Sequence, residues 1–211
     1  MARSGNLFIV SGPSGAGKSA IAAGVLESVP NLRFSISFTT RRPRGSEKNG
    51  VEYNFVAEEE FQKLIQCGDL LEWAAVYGNY YGTSRRRIDE ILGQGTDVLL
   101  DIDVQGAQSI RKKRPESICI FILPPSFQVL RERIESRKLD RQYVIEQRLK
   151  IACEEITHYR NYDYLIINEA LGESIAELKA IILGSRCRMT ARAEAAKSIL
   201  ATFGGLDAED P

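Results

Sequence analysis

The chain of 211 residues has no excess of either charge: 28 Lys and Arg stand against 28 Asp and Glu. No global field therefore draws it to nucleic acid or to a membrane surface. No apolar stretch approaches the ~20 residues that a membrane span requires, and no apolar signal core follows Met1. Internal repeats and low-complexity segments are also missing. The four cysteines, Cys67, Cys119, Cys153 and Cys187, are widely spaced and form no C-x-x-C pair. That is the usage of a reducing compartment, with Cys119 reading as buried inside an apolar run. These absences predict a cytoplasmic protein. The single histidine, His158, lies far from every motif described below and reads as helix surface.

What is present begins at residue 12. Gly12, Pro13, Ser14, Gly15, Ala16, Gly17, Lys18 and Ser19 fit G-x-x-x-x-G-K-[ST] without a mismatch. An apolar stretch, Leu7–Val10, precedes the motif as a buried strand would, and Ser19–Ser28 follows as a helix with one internal glycine. Strand, glycine turn and helix aim several backbone N–H groups at a polyphosphate. Lys18 then reaches the β and γ phosphates, and the Ser19 hydroxyl ligates Mg²⁺. Gly15–Ala20 also satisfies the looser dinucleotide fingerprint, but that needs an acidic residue about 20 positions on. The corresponding stretch, Arg33–Phe38, has no carboxylate. The chain is therefore expected to bind ATP.

Further apolar runs, Asp97–Leu100, Ile118–Leu123 and Tyr164–Ile167, alternate with helical patterns at Ser84–Leu92, Val104–Lys113, Phe127–Ser136 and Gly172–Leu183. Little alternation within the runs points to strands covered on both faces. Ile145, Leu149, Ala152 and Ile156 mark one face of another helix. The expected class is α/β, a parallel sheet flanked by helices, as a single domain over 1–211. A short strand is expected over Phe34–Phe38. Residues 37–83 break the rhythm with glycines and short aromatic runs, and read as an inserted β-rich subdomain with a helix carrying Phe61, Leu64 and Ile65. A second irregular piece lies near Arg137–Arg141, and 204–211 has the composition of a flexible tail. Arg85–Arg87 and Arg111–Arg114 read as solvated faces.

Within the insert, Arg41, Arg42 and Arg44 cluster near Tyr53 and Tyr81, a set apt for a second phosphate. Ser35–Arg44, Gly50–Phe55, Leu71–Ala74, Gly78–Thr83 and Leu100–Gly106, in that order, closely resemble the guanylate kinase family. The resemblance covers roughly residues 5–185. It implies that the insert binds GMP: Arg41, Arg44, Tyr53 and Tyr81 match the residues that hold its phosphate. Glu72 matches the carboxylate facing the base, with Ser37 and Thr83 nearby. Guanine presents N1–H and N2–H side by side to one carboxylate, and adenine presents neither. Asp101 matches the acidic position supporting Mg²⁺, and Asp103 a position near the GMP base. Either can instead cap the helix that begins at Val104. Arg133, Arg137 and Arg148 match arginines that close over the phosphates from a lid at about 133–150, and Asn168 matches a position near adenine.

The implied reaction is ATP-dependent, Mg²⁺-assisted phosphorylation of GMP, and of dGMP with it, in purine nucleotide metabolism. It needs no general base, and it implies closure of insert and lid over both nucleotides. Two other readings are a catalytically inactive binding module of the same fold and a phosphate-loop kinase for another small phosphorylated acceptor. The intact Lys18 and Ser19 speak against the first. Glu72 with Ser37 and Thr83 speaks against the second.

Overall fold

Five short segments meet edge to edge, and the central three, Leu7–Ser11, Asp97–Asp101 and Ile118–Leu123, are buried almost throughout because neither of their faces can be left in water. The computed structural model describes residues 4–76, 78–136 and 142–203. Its main sheet contains β1 (Leu7–Ser11), β2 (Leu32–Phe34), β7 (Asp97–Asp101), β8 (Ile118–Leu123) and β9 (Tyr164–Ile167), in the order β2-β7-β1-β8-β9. Every pair is parallel, with Leu7 opposite Val98, Val10 opposite Asp101 and Val10 also opposite Ile120.

Side chains alternate across β1, so each face receives its own core. Phe8 and Val10 pack with Ile21 and Val25 of α1 (Lys18–Ser28) and Leu178 and Ile182 of α7 (Leu171–Ser185). Leu7 and Ile9 pack with Ile88 and Leu92 of α3 (Arg85–Gly93) and Ala107 and Ile110 of α4 (Val104–Lys113). The glycine inside α1 has a packing reason. A Cβ on Gly24 would stand 2.4 Å from Ile175 Cδ1, so its absence lets α1 and α7 approach closely. A smaller cluster joins Leu130 and Ile134 of α5 (Phe127–Glu135) to Ile145, Leu149 and Ala152 of α6 (Gln142–Ile156).

A second sheet, ordered β4-β3-β6-β5, comprises β3 (Phe38–Thr39), β4 (Asn54–Phe55), β5 (Leu70–Val76) and β6 (Asn79–Ser84). Helix α2 (Glu58–Gln66) covers it through Phe61, which is fully buried and stacks on Tyr80 at 5.4 Å. Gly82 makes room for that ring: its Cβ would lie 3.0 Å from Phe61 Cζ. Lys113 Nζ at the end of α4 donates to the Leu71 carbonyl of β5 over 2.5 Å and joins the two layers.

Two expectations need correction, and one helix was not foreseen. Phe34–Phe38 is two strands in two sheets: Ser35 N donates to Leu99 O, whereas Ser37 O accepts from Asn54 N of the second sheet. A further helix, α8 (Met189–Ala201), carries no buried residue and so no apolar stripe to betray it. Arg111 and Arg114 are not merely solvated; Arg111 donates to Asn161 O and to Asp163 Oδ1, each over 2.7 Å, and Arg114 pairs with Asp89. The expected irregular piece near 137–141 and the tail at 204–211 fall outside the described residues. No helix among the described residues is long and apolar enough to cross a membrane.

Candidate functional site

The loop after β1 is shaped by glycine. Gly12 and Gly17 have φ of 141° and 97°, and a Cβ on Gly12 would sit 2.2 Å from Ile122 O. Gly17 caps α1 with no side-chain hydrogen bond, and the first turn has no acidic residue. The helix N-terminus therefore keeps N–H groups and a positive dipole end for an anion. Lys18 Nζ meanwhile donates to Gly12 O (2.7 Å) and Pro13 O (3.2 Å).

Parallel pairing of β1 with β7 sets Asp101 beside the loop. Ser19 Oγ donates to Asp101 Oδ2 over 2.8 Å. Burial pushes the Asp101 carboxyl above its ordinary value, against the opposing pull of Lys18 and of the Ser19 hydroxyl. A hydroxyl and a carboxylate so placed are hard oxygen donors of the kind Mg²⁺ takes when phosphates supply most of its shell. No cluster of three or more His, Cys, Asp and Glu able to hold a metal occurs among the described residues.

Asn168, at the end of β9, is 4% exposed. Its Nδ2 donates to Ala16 O over 2.7 Å and its Oδ1 accepts from Ser174 Oγ over 3.1 Å. The amide thus braces the phosphate loop from below. Arg133 Nη2 donates to Asn168 O (2.9 Å), and its Nη1 is buried without a partner among the described residues. Arg148 borders a cleft of about 550 Å³ together with Ser14, Asp103, Glu155 and His158. Arg137 falls outside the described residues.

On the insert side, Ser37, Tyr53, Glu72, Tyr81, Asp101 and Asp103 line one cavity of about 220 Å³. Glu72 and Thr83 face each other on β5 and β6, and Thr83 Oγ1 donates to Glu72 Oε1 over 2.5 Å. Burial pushes Glu72 up to about 7; the Thr83 hydrogen bond opposes this, Asp103 adds to it and Lys113 lowers it. Asp103 also caps α4, its Oδ1 accepting from Gly106 N over 2.7 Å.

Arg41 is buried, with its guanidinium 5.3 Å from the Tyr53 ring centroid. Glu47 grips it in a bidentate pair, with both N–O distances 3.0 Å, and accepts from Arg44 N over 2.7 Å. The Glu47 bond, then the Tyr81 hydroxyl, hold the Arg41 pKa above its ordinary value despite burial. Arg44 itself is exposed.

Sequence reasoning missed Glu47, Glu155 and His158. His158 is not plain helix surface. It lies in a 3-10 helix (Thr157–Asn161), half-buried against the cleft, with Nδ1 3.2 Å from Gln108 Nε2. Glu155 lines the same cleft as Ser14 of the phosphate loop; burial raises its pKa while Lys18 and the Ser14 backbone lower it. One signal was available: Glu155 is seven residues after Arg148 on α6, which puts both on one helix face.

Comparison with known proteins agrees with this geometry. The family profile for guanylate kinase matches residues 4–184. A guanylate kinase of Shewanella violacea is 49% identical over 196 residues, 92% of this chain and 95% of its own. That of Idiomarina loihiensis is 46% identical over 187 residues, 88% of this chain and 89% of its own. The crystal structure of guanylate kinase from Anaplasma phagocytophilum superposes with a TM-score of 0.75 at 34% identity, over 90% of both chains. The α/β sheet, the glycine loop and the matched length all lead to one assignment: the chain belongs to the guanylate kinase family.

Proposed function

We propose that this chain transfers the γ-phosphoryl group of ATP to GMP, giving ADP and GDP. One observation carries the reading: Asp101 accepts from Ser19 of the phosphate loop and also lines the cavity that holds Glu72. Donor loop and acceptor pocket thus share a wall, as in-line transfer requires.

The acceptor phosphate enters as its own nucleophile. A phosphomonoester has a second pKa of about 6, so its oxygen is largely ionised at neutral pH and no base is required. Arg41, Arg44, Tyr53 and Tyr81 hold that phosphate, and Ser37, Thr83, Asp103 and Glu72 read the base. Guanine brings two N–H donors to Glu72, which favours its ionised form and offsets the burial that raises its pKa. Adenine brings the same carboxyl neither donor, leaving it only the Thr83 hydroxyl of these partners.

On the donor side Lys18 exchanges the Gly12 and Pro13 carbonyls for phosphate oxygens. Arg133, with its unpartnered Nη1, joins Arg137 and Arg148 in neutralising the charge of the transferring group. Asn168 holds the loop in register rather than reading adenine. Ser19 and Asp101 are the residues that fit Mg²⁺, which when bound with ATP neutralises the β and γ oxygens. Free cysteines at all four positions suit a cytoplasmic setting.

The test follows ADP release with ATP and Mg²⁺ plus GMP, AMP, CMP or UMP in turn. GMP should turn over, with AMP lower by about 10⁴ in kcat/KM. Equal use of AMP and GMP, or no ADP release with GMP, overturns the reading.

A further inference from the structure

A cavity of about 610 Å³ lies between α4, the start of β8 and the 3-10 helix. It takes no residue from the phosphate loop or from the pocket around Glu72. None of its described lining residues is acidic, yet Arg111, Lys112, Arg160 and His158 all face it. Lys112 has no ion-pair partner among the described residues. Arg160 meets Tyr159, its neighbour in sequence, through the hydroxyl at 3.1 Å and the ring at 5.6 Å, and has no ion-pair partner among the described residues. Arg111 alone is compensated, by Asp163. The floor is of another kind: Ala107 and Cys119 are 2% and 1% exposed. The cavity therefore pairs an exposed cationic rim with a small apolar base, and its volume falls in the range of small-molecule sites, roughly 300–1,000 Å³.

We propose that this cavity binds a small organic phosphate ester, with the phosphate at Lys112 and Arg160 and the carbon body against Ala107. Two uncompensated cations at the mouth attract an anion, and the apolar floor favours an ester over a bare ion. His158 is the wall this cavity shares with the cleft of Arg148 and Glu155. Being the single histidine of the chain, it reports occupancy from one imidazole signal.

The full chain, labelled with ¹³C-histidine and saturated with GMP and ADP, a pair that cannot react, is titrated with phenyl phosphate. Filling the cleft first confines the added ester to the other side of His158. The imidazole signal should shift saturably, and inorganic phosphate in a parallel titration should bind more weakly. The Lys112→Glu/Arg160→Glu double variant should need roughly tenfold more ester, the sum expected of two exposed charge reversals. Its turnover and Tm should stay unchanged, and Lys112→Gln/Arg160→Gln should show a smaller loss in the same direction. No shift, an unchanged midpoint in both variants, or equal binding of inorganic phosphate overturns the proposal.

Discussion

Glu72 and Thr83 stand opposite each other on antiparallel strands, joined by a 2.5 Å hydrogen bond in which the threonine hydroxyl donates. That contact leaves the second carboxylate oxygen for another donor, inside a pocket dry enough to raise the carboxyl to about 7. Glu72→Gln should lower kcat/KM for GMP by about 10²–10⁴ while leaving KM for ATP within a few-fold. Steady-state kinetics with each substrate varied in turn will show it.

The same carboxyl sets a pH dependence. Its folded pKa lies above its ordinary value of 4.5, so the native state holds the proton longer than the unfolded chain. The stability it contributes is whole below pH 4.5 and is lost as pH rises towards 7, by about 3 kcal/mol. Denaturant titrations of the wild type from pH 4.5 to 8 should show this decline, and Glu72→Gln should flatten it. KM for GMP should move the other way, falling from pH 6 to 8 more steeply in the wild type than in the variant.

Ser19 and Asp101 share one hydrogen bond and, in the proposed reaction, one ion. Asp101→Asn keeps the size but removes the charge. The Mg²⁺ concentration for half-maximal rate should rise about 10–100-fold. Rate measurements across a magnesium series decide it; an unchanged midpoint would remove Asp101 from the metal's surroundings.

Gly17 and Asn168 should behave as a coupled pair. Alanine at Gly17 meets Asn168 Nδ2 at 2.2 Å and must also hold a φ near 97°. Asn168→Ala alone orphans the Ala16 carbonyl and should cost about 1–3 kcal/mol. In the double variant the collision is gone and only the backbone strain remains, so the two effects should sum to less than their parts. A double-mutant cycle by chemical denaturation measures the difference.

Away from the chemistry, Asp97 Oδ2 accepts from Arg186 Nε over 2.8 Å, and Asp97 Oδ1 accepts from Asn6 N over 2.7 Å. The Asp97 side chain is 1% exposed. Arg186→Ala should remove one charge-assisted bond from this buried carboxylate, leaving those from Asn6, and cost about 1.5–3 kcal/mol. Calorimetry should record a Tm lower by about 3–12 °C.

The central strands and the phosphate loop were legible because each has a local signature, whereas the base pocket was named only through the resemblance to guanylate kinases. Leu7–Val10 and Ile118–Leu123 are apolar without alternation, and the glycine spacing of residues 12–19 admits few other uses. Ser35–Ser37 defeated the same reasoning. Periodicity describes a strand's faces but says nothing about which sheet the strand joins, and the chain changes sheets there. Helix α8 was invisible because amphipathic contrast is the signal, and α8 buries nothing. Glu47 and His158 were missed for another reason. Their roles come from what the fold brings beside them, Arg41 in one case and the cleft of Arg148 in the other.

Lys18 rests on the carbonyls of Gly12 and Pro13. An ammonium already tethered to main-chain oxygens has surrendered most of its wandering before any nucleotide arrives. Capture then swaps one set of oxygens for another, and the disorder that a long, loose side chain would have had to give up at that moment is already gone.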